Sequence, residues 1–117
     1  MRLLPRQNEV DPNETNWAQE TPLWCAADYR HEGVVKLLLR RDDVNPNKPE
    51  RFDQTPLSRT ARNGDEEVVK MLLKRDDVNR DKPDKSGRTP LSRAAENGHA
   101  GVVALLQPPA SSTHSVA

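Results

Sequence analysis

The 117-residue sequence predicts an all-α fold, an α-solenoid of about three stacked units, each a helix-turn-helix with a finger loop. Three observations predict it. The chain superposes on itself with a shift of 34 residues, the same helix-start signal recurs at one place in each copy, and the composition suits a stack better than a sphere. Apolar residues make up only 33% of the chain and charged residues 31%. A stack tolerates this because each unit buries a thin stripe against its neighbours and leaves the rest in water.

The shift of 34 lays Thr21-Pro22-Leu23 over Thr55-Pro56-Leu57 and Thr89-Pro90-Leu91. Val34-Val35 meets Val68-Val69 and Val102-Val103, and Leu37-Leu38 meets Met71-Leu72 and Leu105-Leu106. Arg41-Asp42-Asp43-Val44-Asn45 meets Arg75-Asp76-Asp77-Val78-Asn79. Leu3-Leu4 and Val10 fall over Leu37-Leu38 and Val44, so the chain opens on the tail of a further, partial unit.

Each unit starts with helix A. A threonine hydroxyl accepts an orphan backbone N–H, and proline at the first helical position gives up only a donor that had no partner. Helix A therefore begins at Pro22, Pro56 and Pro90. Asn63-Gly64 and Asn97-Gly98 end it, since glycine takes the left-handed conformation at little cost. Helix B follows, with Val34, Val35, Leu38 and Leu39, and then Val68, Val69, Leu72 and Leu73, forming an apolar stripe. Glu32 with Lys36 and Glu66 with Lys70 are spaced to pair on its wet side. Asp42 to Gln54 and Asp76 to Arg88, rich in Asp, Asn, Lys and Pro, read as extended fingers linking the units.

These features resemble the ankyrin-repeat family, whose unit is a finger-like turn and two antiparallel helices with a T-P-L-H-x-A signature. The resemblance covers about residues 3–107. It is closest over Asp84-Lys85-Ser86-Gly87-Arg88-Thr89-Pro90-Leu91-Ser92-Arg93-Ala94-Ala95-Glu96-Asn97-Gly98-His99, which looks like the ankyrin units common in large fungal signalling proteins. The family's histidine is replaced by Trp24, Ser58 and Ser92, so its hydrogen bonds to the loop are not assured. Gln19 and Asp53 stand where the finger glycine is expected, and Tyr29-Arg30 where Asn-Gly is expected, which predicts strained or reshaped turns. Trp24 is assigned to partial burial at the edge of the first unit.

The resemblance implies a protein-protein interaction module, an adaptor or scaffold, that binds its partner on a concave face of finger tips and helix A edges. Projected onto this chain, that face carries Trp17, Ala18, Glu20, Asp28 and Tyr29; then Arg51, Phe52, Gln54, Arg62 and Asn63; then Lys85, Ser86, Arg88, Glu96 and Asn97. Only four aromatic residues exist in the chain, and Trp17, Tyr29 and Phe52 fall there beside Arg51, Arg62 and Arg88, the residue types richest in binding energy. An alternative has Trp17 and Phe52 fold over the finger in place of a glycine turn. Each arginine taken alone also reads as solvated surface charge.

Other functions find little support. Lys plus Arg and Asp plus Glu each count 18, so no net field draws the chain to nucleic acid or an anionic membrane. No apolar run approaches the roughly 20 residues that span a bilayer. With one cysteine and no signal peptide in residues 1–10, the chain reads as intracellular, cytoplasmic or nuclear. Cys25 and His31 do not read as a nucleophile and base, because Cys25 falls among alanines within helix A as a small buried hydrophobe. His99 and His114 have no metal-ligand spacing, and Asp42-Asp43 and Asp76-Asp77 recur in register as architecture. The sequence therefore predicts no enzyme, no metal and no cofactor.

The expected organisation is a repeat domain over 1–107, made of a partial repeat 1–15 and repeats at 16–49, 50–83 and 84–107, then a disordered tail at 108–117. Pro108-Pro109 ends the last helix B, and the terminal units look poorly capped. Truncation from a longer array is the preferred explanation, with ends covered by self-association or a partner as the other. The second functional reading is accordingly a spacer or self-associating fragment with no separate binding site. The middle repeat should be best ordered, with amide exchange slowest at Ala61 and Val68 to Leu73.

Overall fold

The computed structural model describes residues 11–107. These hold six helices and no strand: α1 (Pro22–Asp28), α2 (Glu32–Leu39), α3 (Pro56–Asn63), α4 (Glu66–Leu73), α5 (Pro90–Glu96) and α6 (Ala100–Leu106). The Leu3-Leu4 segment and the tail at 108–117 lie outside the described residues.

The helices start where the Thr-Pro-Leu signal places them. Thr21, Thr55 and Thr89 are extended, and their Oγ1 atoms accept from the backbone N–H groups of Trp24, Ser58 and Ser92 at 3.0, 3.0 and 3.2 Å. Each cap stabilises its helix by about 1 kcal/mol. Gly64, at φ 79°, closes α3 in the left-handed region. A side chain there would meet the His99 imidazole, whose Nδ1 lies 2.5 Å from where a Cβ would stand. The Nε2 of that ring is 3.0 Å from the Arg62 carbonyl, which can only accept, so Nε2 carries the proton. Arg30 takes the place of the glycine after α1 at φ 60°, and its guanidinium reaches the Asn63 carbonyl at 3.2 Å. Gln107 is extended, the conformation favoured before a proline.

Packing follows two rows. Helices α1, α3 and α5 pack side by side, as do α2, α4 and α6, and within each hairpin the two helices pack on one another. Leu23, Val35, Leu57, Val68, Val69, Leu72 and Val102 are fully buried between the rows, each worth about 1.5–3 kcal/mol of apolar transfer. The middle hairpin is the most enclosed, with α3 and α4 contributing Leu57, Ala61, Val68, Val69 and Leu72 to this core.

Two details of helix B differ from expectation. Val34, assigned to the apolar stripe, is 48% exposed, whereas its counterparts Val68 and Val102 are fully buried. Helices α4 and α6 each pack on the preceding helix of the row, and among the described residues α2 has none before it. The expected Glu66 to Lys70 pair is replaced by one between Lys70 and Glu67 at 3.6 Å, and Glu32 with Lys36 forms no ion pair. The Glu66 carboxylate instead lies over Gly101 of the next hairpin, in the space a Cβ would fill.

Polar ladders join the units at the far end of helix B. Asn13 and Asn47 each donate from Nδ2 to the carbonyl of Asp43 or Asp77 at 2.7 Å, and accept through Oδ1 from the N–H of Asn45 or Asn79. Arg41 and Arg75 grip Asp43 and Asp77 through two bonds each. Those bonds hold both carboxyls below the usual carboxylate range. Asp43 and Asp77 therefore serve the architecture of the stack.

Candidate functional site

The finger tips are built by one polar residue per unit. Asn16 Oδ1 accepts from the N–H groups of Ala18 and Glu20 at 2.9 and 3.0 Å. Glu50 Oε1 accepts from Phe52 and Gln54 at 2.6 and 3.0 Å, and Asp84 Oδ1 from Ser86 and Arg88 at 2.9 and 3.1 Å. Sequence reasoning missed this role. Its signal is the 34-residue spacing of Asn16, Glu50 and Asp84, each three residues before the left-handed position of its finger.

Those left-handed positions are Gln19 at φ 65°, Asp53 at φ 62° and Gly87 at φ 84°. The turns that lack glycine are therefore strained and not reshaped, at about 1–2 kcal/mol for each non-glycine residue. Backbone bonds hold them there, with Gln19, Asp53 and Gly87 donating to Asn16, Glu50 and Asp84. Neighbouring fingers are then linked tip to tip, Arg51 N–H to the Ala18 carbonyl at 3.3 Å and Lys85 N–H to the Phe52 carbonyl at 3.1 Å.

This linkage brings together residues from the predicted face. The Arg51 guanidinium lies 5.7 Å from the Trp17 ring centroid and 5.5 Å from that of Phe52, within cation–π range of both. Trp17 is 86% exposed and Phe52 55%, so neither folds over its finger. Lys85 stands next along the row, exposed, joined to Phe52 through the backbone. The tips thus read aromatic, cation, aromatic, cation along the stack.

Other predicted residues are placed differently. Asp28 is half-buried, accepting from Arg59 Nε at 2.7 Å and Asn63 Nδ2 at 2.9 Å, so its charge ties α1 to α3. Arg88 and Glu96 form an ion pair with each other. Glu20 is half-buried, 3.5 Å from the Cys25 thiol and 3.1 Å from Asn16 Nδ2. Tyr29 is exposed, its ring 6.1 Å from that of His31. Arg62 is exposed, and its backbone carbonyl holds His99.

Trp24 corrects the sequence reading: it is only 4% exposed. Its indole Nε1–H donates to the Gln54 carbonyl at 2.8 Å, and the Arg59 guanidinium sits 5.7 Å over its ring. The first unit therefore has a side-chain link to the neighbouring finger despite lacking the histidine. Ser92 Oγ, by contrast, donates to its own Thr89 carbonyl, and the buried Ser58 Oγ has no partner among the described residues.

Two titratable groups beside the fingers are perturbed. Burial opposes the charged form of Asp84, but hydrogen bonds from Ser86 and Arg93 outweigh it and hold the carboxyl well below the usual range. Arg93 reaches Asp84 Oδ2 at 2.6 Å. Cys25, expected to be buried, is half-buried, because it lies beside the finger and not between the helix rows. Burial and the neighbouring Glu20 carboxylate push its thiol up to about 11. A thiol so protonated is a poor nucleophile. Among the described residues no three His, Cys, Asp or Glu side chains come together to hold a metal, and no helix is long and apolar enough to cross a membrane.

Paired helices in two rows, capped by Thr-Pro and bridged by hydrogen-bonded fingers, define a helical-repeat solenoid. The model for ankyrin repeats in three copies matches residues 40–115, and the model for a single ankyrin repeat matches residues 19–51. The chain belongs to the ankyrin-repeat family. A comparison with curated proteins finds no match.

Proposed function

We propose that this chain is a protein-binding adaptor whose docking site is the fingertip row of Trp17, Arg51, Phe52 and Lys85. Ankyrin repeats are protein-protein interaction modules, and the carrying observation is the Trp17–Arg51–Phe52 stack on adjacent fingers. Two large rings stand in water here at positions that do not fill the core. Arg51 holds them in place through their faces, so less side-chain entropy is lost when a partner covers them. Tyr29, Arg62 and Glu20 are proposed as outlying members of the same docking face, while Asp28, Arg88 and Glu96 act as its frame because their charges are spent within the fold.

No catalytic step, metal or cofactor enters this reading, and the partner is another protein and not nucleic acid or a membrane. The chain's single cysteine fits a reducing, intracellular setting. Capture of partners from a cell extract, identified by mass spectrometry, tests the proposal. The Trp17→Ala/Phe52→Ala double variant should lose the captured partner while keeping its helical circular dichroism, since buried hot-spot aromatics contribute about 2 kcal/mol or more each. Undiminished capture would rule out the fingertip row. A change only in oligomer size would favour a self-associating spacer.

A further inference from the structure

A groove of about 370 Å³ runs between α2 and α4 and shares no residue with the fingertip row. Its floor is apolar, formed by the half-buried Leu39 and Met71. Lys36 and Arg40 line one wall, and Lys70 and Lys74 line the other. Each wall places two cations four residues apart, one helical turn, about 6 Å along the axis. The walls correspond to one another through the 34-residue repeat.

The groove is electrostatically incomplete. Lys36, Arg40 and Lys74 are exposed and form no ion pair among the described residues. Glu67 is the one acidic side chain lining the groove, 3.6 Å from Lys70. Arg75, at the end, is spent on Asp77 and on the carbonyls of Leu39 and Arg41. Four cations thus border a shared apolar strip.

We infer that this groove docks an acidic amphipathic helix of another protein. A helix laid between two side-by-side helices sets an apolar seam against the strip formed by Leu39 and Met71. Carboxylates one turn apart on each flank of that seam then face Lys36 and Arg40 on one side and Lys70 and Lys74 on the other. A phosphorylated headgroup or a nucleic-acid backbone would satisfy the cations but leave the floor unused. The inference is independent of the fingertip proposal and uses different residues.

The probe is a fluorescein-labelled helical peptide with leucine at heptad positions a and d and glutamate at e and g, titrated with the full chain by anisotropy. Binding should weaken about tenfold or more in Lys36→Glu/Lys70→Glu, and similarly in Arg40→Glu/Lys74→Glu, because rim charges set such complementarity. It should persist in Trp17→Ala/Phe52→Ala, and a peptide with lysine at e and g should not bind. All four substituted cations are exposed, and circular dichroism with thermal melting verifies that each variant folds. The inference is overturned if the glutamate peptide fails to bind the native chain, or binds the charge-reversed variants equally well. It is overturned too if inositol hexakisphosphate or phosphatidylserine vesicles bind in a manner lost in those variants while the peptide does not.

Discussion

The Trp24 indole donates to the Gln54 backbone carbonyl at 2.8 Å, joining the first helix of one unit to the finger of the next. The ring that makes this bond is almost wholly buried and lies under the Arg59 guanidinium. One side chain therefore supplies volume, a hydrogen bond and a cation–π face at the joint between two units. Replacement by phenylalanine keeps most of the volume and loses the bond, and should cost about 1–2 kcal/mol. Replacement by alanine should cost about 3–5 kcal/mol. Urea denaturation of the two variants measures both, and a phenylalanine variant as stable as the native chain would show that the hydrogen bond contributes nothing.

The fingers allow a direct test of backbone strain. Gln19 holds φ 65° and its counterpart Gly87 holds φ 84°. Gln19→Gly removes the steric cost at the price of unfolded-chain entropy, so a net gain of several tenths to about 1 kcal/mol is expected. Gly87→Ala should lose about 1 kcal/mol, although no atom lies within 4 Å of the added Cβ. Opposite signs in the shift of the thermal midpoint are the expected result, and a loss in both variants would contradict it.

Acid should weaken the third finger early. An unfolded aspartate titrates near 3.9, at about the usual value, whereas Asp84 in the folded chain is held well below it. The folded state therefore binds this proton less readily than the unfolded state does. Its stabilisation is complete above about pH 5 and is lost progressively as pH falls below about 4. Asp84→Asn should lower stability at neutral pH and flatten the acid limb of a plot of urea midpoint against pH. An unchanged acid limb would assign that sensitivity to other groups.

Cys25 should resist alkylation. With its thiol raised from 9.0 to about 11, the thiolate fraction near pH 8 falls roughly a hundredfold. The sign for stability is the reverse of that for Asp84: the folded state holds the proton more firmly, so the contribution is present below about pH 9 and lost as pH rises toward 11. Glu20→Gln removes the adjacent charge and should speed the reaction with iodoacetamide several-fold, without unfolding the chain. Equal rates in the two proteins would leave burial and the Asp28 charge as the causes.

The central core should open last. Val68, Val69, Leu72 and Ala61 are fully buried between hairpins on both sides. Native-state amide exchange should be slowest there and faster at Val34 and Leu37, which are exposed on α2. Uniform protection along the chain would argue against this gradient.

Features that lie within a few residues of a sequence signal were legible in the sequence alone. Thr21, Thr55 and Thr89 cap their helices because hydroxyl and N–H are three residues apart, and Gly64 ends α3 because the needed conformation belongs to one residue. Repetition of these signals every 34 residues made the stack legible, and the family with it. Exposure of Trp17 and Phe52 was legible as one of two readings. The packing of the units was needed to show that Arg51 stands between those rings, that Trp24 is sealed under Arg59, and that Asp28 is committed to Arg59 and Asn63. It was also needed to show that Gln19, Arg30 and Asp53 keep the left-handed turn that their side chains disfavour. Local preference there is worth only about 1–2 kcal/mol, and the hydrogen bonds of each finger and hairpin joint outweigh it. Contacts between units join residues some 30 positions apart. Their partners depend on how far each hairpin is offset and rotated against the last, a quantity set by the packing of both helix rows together and by no single residue.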